Sequence, residues 1–166
     1  MSGMESEEFG SEELPEGFDP EPPAFPGHLV TPLTELVELG HLETVHRAFG
    51  HEYVIRTLTT GEELRAMALT RPWAEVPVAQ GRAFATAIVA GALVAVDDEE
   101  TARGNSPRDD GLKARFKYVQ ELYWPVVDSI YQAYLGLERK QAEVLAALEE
   151  AAEDGGPDED GTQGTG

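Results

Sequence analysis

The sequence predicts an α+β, predominantly helical single domain, in which a small β-hairpin packs with a helical bundle and a long C-terminal helix. Three observations predict it. Two segments rich in β-branched and aromatic residues, ETVHRAF and EYVIRTLT, flank a glycine and read as a hairpin. A capping signature follows them, with Thr59 and Thr60 each preceding a glutamate by three positions (Glu62 and Glu63). Apolar residues then recur at helical spacing from Phe116 to Leu148. The chain of 166 residues and 18.0 kDa is long enough for one such domain and short for two.

The elements follow in order. From Pro32 to Leu39 the sequence PLTELVEL suits a short helix or an extended lead-in, and Gly40 interrupts it. The hairpin should reverse at Gly50–His51, with Val54, Arg56 and Leu58 alternating against Tyr53, Ile55 and Thr57 on its second strand. The capped helix should carry Leu64, Met67 and Ala68 on one side and end at Arg71–Pro72. Gly81 to Val96 reads as a mostly apolar helix that relaxes into an extended piece after Gly91. Residues 97–111 (DDEETARGNSPRDDG) read as a polar loop. Beyond it the signal is helical to about Ala152, and Pro125 either kinks one helix or opens a second.

Charge divides the chain further. Residues 1–27 hold eight carboxylates, five prolines and no Lys or Arg, and residues 149–166 hold seven carboxylates and no basic residue. Of the net charge of −20, the two ends supply −15 and residues 28–148 only −5. Segments so acidic and so poor in aliphatics cannot bury enough surface to offset ordering entropy. The expected organisation is a disordered acidic, Pro-rich tail over 1–27, one folded domain over 28–152, and a disordered acidic, Gly-rich tail over 153–166. Because the acid is concentrated at the ends, it reads as a solubilising device that also repels other copies, rather than as adaptation to high salt.

Composition removes several function classes. A chain this acidic does not hold a phosphate backbone by charge, so neither nucleic acid nor an anionic membrane is an expected partner. The acidic start lacks the apolar core of a secretory signal, and the longest apolar run, Ala83 to Val96, is too short to span a bilayer. With no cysteine there is no disulfide, thiolate metal site or Cys nucleophile, and a cytoplasmic location is expected. Phosphate-loop, dinucleotide, zinc-protease and nucleophile-elbow motifs are absent, and neither Ser106 nor Ser129 has an evident triad setting. No catalytic, cofactor or metal residue is assigned. His46 and His51 could approach in a hairpin beside Glu43 and Glu52, but a spacing of five fits no familiar zinc pattern, and surface histidines are the simpler reading. The acid pairs Asp97–Asp98, Glu99–Glu100 and Asp109–Asp110 do not follow the alternating oxygen ligands of a calcium loop.

One feature suggests a binding surface. Val127, Ile130, Tyr134, Leu137, Gln141, Val144 and Leu148 fall at alternating steps of three and four, an a/d seam widened by Val126 and Leu145 and flanked by Trp124 and Tyr131. The seam is either a core stripe or, in part, a surface for self-association or an amphipathic client. On the second reading the partner-binding residues are Trp124, Val127, Ile130, Tyr131, Tyr134, Leu137, Val144 and Leu148.

Three pieces in this order, EYVIRTLTTGEEL, ATAIVAGALVAVDD and RFKYVQELYWPVVDSIYQAYLGLERKQAEVL, resemble tail assembly chaperones of long-tailed bacteriophages and related prophages. The similarity runs over about residues 40–148 and rests most on Arg56–Thr59 and Tyr131–Leu137. The resemblance implies a non-enzymatic protein that binds the helical tape measure protein, keeps it soluble and helps to recruit tail tube subunits. It also implies a place in the host cytoplasm, absence from the mature virion, and in many relatives a longer frameshifted form. The alternative is a structural subunit, an adaptor or minor tail protein, of a tail or injection particle.

Overall fold

The computed structural model describes residues 25–101 and 111–154. The two acidic ends up to residue 24 and from 155, and the segment 102–110 with Asp109–Asp110, lie outside the described residues. The architecture is α+β and mainly helical, as expected: five α-helices and a small antiparallel sheet among the described residues, ending in a long helix.

The lead-in resolves as a helix. Its helix α1, Val30–Leu39, stops at Gly40, whose φ of 75° lets its N–H donate to the Leu36 carbonyl at 3.0 Å. Strands β1 (Glu43–Ala48) and β2 (His51–Arg56) then pair around a two-residue loop, Phe49–Gly50. Both loop residues have positive φ, 52° and 83°, the type I′ geometry that matches the strand twist. The reversal therefore comes one residue before the expected Gly50–His51, because the register Ala48↔His51 places His51 on the strand.

Helix α2, Thr60–Ala68, uses the first of the two capping spacings. Thr59 accepts from the Glu62 N–H, while the Glu62 carboxylate accepts from the Thr59 N–H at 2.9 Å and pairs with Arg56 at 2.6 Å. Leu64, Met67 and Ala68 do share a side, but it is the outward one, and Ala66 is the residue buried. The reason lies across the interface at Gly91. A Cβ there would stand 3.0 Å from Leu58 Cδ1 and 3.5 Å from Ala66 Cβ, so α2 and α3 meet closely through the small residues Ala66 and Gly91. A 3-10 turn, Arg71–Trp73, follows.

Helix α3, Pro77–Ala92, begins four residues before the expected Gly81, with Pro77 at its first position. It passes directly into strand β3, Leu93–Val96, when Leu93 takes an extended conformation (φ −68°, ψ 120°). The relaxation after Gly91 is thus real. Strand β3 pairs with β2, and the short β4, Glu99–Glu100, completes the order β1-β2-β3-β4. The expected loop 97–111 accordingly contains an edge strand and gives up Gly111 to the next helix.

Helices α4 (Gly111–Glu121) and α5 (Trp124–Asp154) complete the fold, Pro125 lying in the first turn of a separate helix. Helices α3 and α5 lie against the sheet, and the core joins Tyr53 and Ile55 to Ile88 and Val89, Val119, Val127, Ile130 and Tyr134. A hydrogen bond of 2.8 Å between His46 Nε2 and Ser129 Oγ ties β1 to α5. No helix among the described residues is long and apolar enough to cross a membrane.

Candidate binding surface

Two prolines shape an apolar recess among the described residues. Pro72 sits in the 3-10 turn and Pro77 restarts the chain as α3, leaving Trp73, Val76 and Val78 to project where the chain bends. Opposite them the chain breaks again between α4 and α5, at Leu122 and Tyr123. The two breaks frame an open groove of about 480 Å³, walled by Trp73, Val76, Val78, Phe116, Leu122 and Trp124. Trp73 packs on Phe116 with ring centroids 5.9 Å apart, which fixes the floor. The Arg82 guanidinium lies 5.0 Å from the Trp124 ring centre and puts a cation on the rim. At the mouth Val78 is 87 % exposed, and Tyr123 nearby 85 %. Isoleucine- or leucine-sized side chains fit such a recess; its apolar lining offers hydrophobic burial and, at Arg82, one point of charge selection.

The eight residues of the seam are placed differently. Val127, Ile130, Tyr134, Leu137 and Val144 are buried in the protein itself, and Trp124, Tyr131 and Leu148 are half-buried. Tyr131 meets Phe84 edge-on at 6.3 Å. In this conformation the seam is largely core, and of its eight residues Trp124 and Val127 line the groove. Sequence reasoning missed Trp73, Val76, Val78 and Arg82. The available signal was RPWAEVPV, a tryptophan and two valines set around two prolines, of which Arg71–Pro72 reads from sequence only as the end of a helix.

The polar residues form local pairs. His41 meets Glu43 at 3.1 Å, His46 meets Ser129, and His51 meets Asp97 at 2.6 Å. The histidines therefore diverge, and no group of three or more potential ligands is assembled among the described residues. Asp97 also accepts from the Glu52 N–H at 2.8 Å; the His51 hydrogen bond, then this one, hold its carboxyl below the usual range.

A tighter constellation lies where α5 meets α2. The Tyr134 hydroxyl is 3.0 Å from Glu63 Oε1 and 2.9 Å from Glu138 Oε1, so one hydrogen serves two carboxylates. Burial first, then its hydrogen bond to Glu138, push the Tyr134 hydroxyl far above the phenol range. Burial, and the neighbouring Glu63, raise Glu138, while the Tyr134 hydrogen bond opposes them. A carboxyl whose folded pKa lies above its unfolded one binds more protons in the folded state. Its contribution is fully present below the unfolded glutamate value and is lost as pH rises through the folded one. Stability should therefore decline over that window, and Glu138→Gln should flatten the decline and stabilise the domain by about 1 kcal/mol at neutral pH. Urea unfolding of both proteins between pH 4 and 8 measures this; parallel curves would refute it.

Comparison of the chain with protein-family models, curated proteins and solved structures found no match.

Proposed function

We propose that the chain is a non-enzymatic tail assembly chaperone that holds an amphipathic helix of the tape measure protein in the groove between the start of α3 and the α4–α5 junction. The observation that carries this reading is an exposed apolar groove on a chain whose net charge of −20, most of it at the two ends, favours solubility. A client helix laying isoleucine- or leucine-type anchors between Trp73 and Trp124 would bury the valines at its mouth. An acidic client residue near Arg82 would set its direction. The resemblance over about residues 40–148 supports the same role, in the host cytoplasm and outside the mature virion, with tail tube subunits recruited to the coated client.

Co-expression with the tape measure protein, followed by size exclusion with light scattering, tests it. The expected result is a soluble complex with a client that is insoluble alone. Val78→Asp, at a position 87 % exposed, should leave the circular dichroism unchanged and weaken the complex at least about tenfold, near 1.4 kcal/mol. Two species that never co-elute would refute the chaperone reading, and persistence of the chain in purified particles would favour a structural subunit instead.

A further inference from the structure

Among the described residues, strand β1 has a strand neighbour on one side only. Its ladder to β2 pairs Leu42 with Thr57, the Thr57 N–H donating to the Leu42 carbonyl at 2.9 Å, so the even-numbered residues 42 to 48 turn their main-chain groups toward β2. The N–H and C=O groups of Glu43, Val45 and Arg47 consequently point away from the sheet. Natural edges are blunted with charged side chains, proline, bulges or short length. This one is six residues long, has no proline or bulge, carries two charges of opposite sign, Glu43 and Arg47, and leaves Val45 52 % exposed at its centre.

We propose that a second copy of this chain pairs with β1 across a two-fold axis at Val45, joining two four-stranded sheets into one. The sequence is self-complementary in that register. Val45 faces Val45, and Glu43 of each copy faces Arg47 of the other, the two able to pair by exchanging or sharing their exposed partners in the single chain, His41 at 3.1 Å and Glu52 at 2.8 Å, with all three residues presenting their outward main-chain groups. The alternation that puts Glu43, Val45 and Arg47 on the outer face sends Thr44 and His46 of the second copy inward. There they meet an open groove of about 420 Å³ between α1 and α5, lined by Pro32, Leu42, Ala133 and Leu137.

A second, independent observation lies at the hairpin tip. Phe49 adopts φ 52°, a conformation that costs a residue with a side chain about 1 kcal/mol and that asparagine or glycine would fill more easily. It is also 67 % exposed. In the proposed register Phe49 stands opposite His41 of the second copy, beside that copy's Leu39, which is 53 % exposed at the end of α1. Two-fold symmetry repeats this apolar contact at both ends of the strand pair. The paired strands thus use a strained, exposed aromatic that the monomer does not need.

The full-length chain, which has no cysteine, tests this directly. In the proposed dimer the two residues at position 45 form a hydrogen-bonded pair with Cα atoms about 5.5 Å apart, within disulfide reach. Positions 54 lie three strands apart, at about 14 Å. Under mild oxidation Val45→Cys should become a covalent dimer of twice 18.0 kDa, and Val54→Cys should stay monomeric. Phe49→Asn separates pairing from folding, because the effects have opposite sign. It should raise the melting temperature of the dilute monomer while weakening dimerisation at least about tenfold by sedimentation equilibrium. A Val45→Cys chain that remains monomeric overturns the proposal, and so does equal cross-linking at 45 and 54.

Discussion

Ile130→Asp should abolish cooperative unfolding and leave the chain without a stable tertiary structure. Ile130 is 0 % exposed, at the centre of the cluster that joins α5 to β2 and α3. The change removes a fully buried side chain, which costs roughly 2–5 kcal/mol. It then asks a carboxyl to sit where the surrounding residues are apolar, which adds at least a few kcal/mol more. Together these approach the whole stability of a domain, about 5–15 kcal/mol. Far-UV circular dichroism with urea titration measures the result. A variant that unfolded at the same urea concentration as the parent, yet no longer bound its client, would place the seam on the surface after all. The contrast with Val78→Asp is the informative one: the same chemistry at an exposed groove position should spare the fold.

The second large effect is expected at Arg115, a charged residue only 5 % exposed. Helix α3 ends inside the protein, where its last carbonyls have no helical partner. The Arg115 Nε–H donates to the Ala90 carbonyl at 2.7 Å, and Ala90 is itself fully buried. A guanidinium at a helix C-terminus both satisfies the carbonyl and complements the negative end of the helix dipole. Arg115→Met keeps much of the stem's packing and strands the carbonyl. The expected loss is about 3 kcal/mol, since a buried acceptor loses a charged donor. A urea midpoint within error of the parent would show that water reaches the helix end and replaces the arginine.

Much of the fold was legible because local rules and tertiary packing agreed. Thr59 with Glu62 named the start of α2, Gly50 the hairpin, and the small-residue run after Gly81 the central helix and its exit into a strand. Where they disagreed, a neighbour decided. Leu64 and Met67 share one side of α2, but the side that meets α3 closely at Gly91 is that of Ala66. The reversal at Phe49 was hidden because phenylalanine is a poor residue for a left-handed turn. The candidate surface was less legible than the fold. A heptad seam looks the same whether it meets a partner or the chain's own sheet, and Ile130 and Tyr134 meet the sheet. The groove depends on two chain breaks, at Pro72–Pro77 and at Leu122–Tyr123, that come together only in three dimensions.

The direct passage of α3 into β3 leaves no slack between a helix and a strand. Rolling α3 about its axis would drag Leu93 and its successors across β2 and shear the ladder that holds them. The helix is therefore clamped in rotation, and with it the wall that it gives to the groove. On the proposed reading an incoming helix would meet a fixed template, so the entropy lost on docking would fall on the client and hardly at all on this protein.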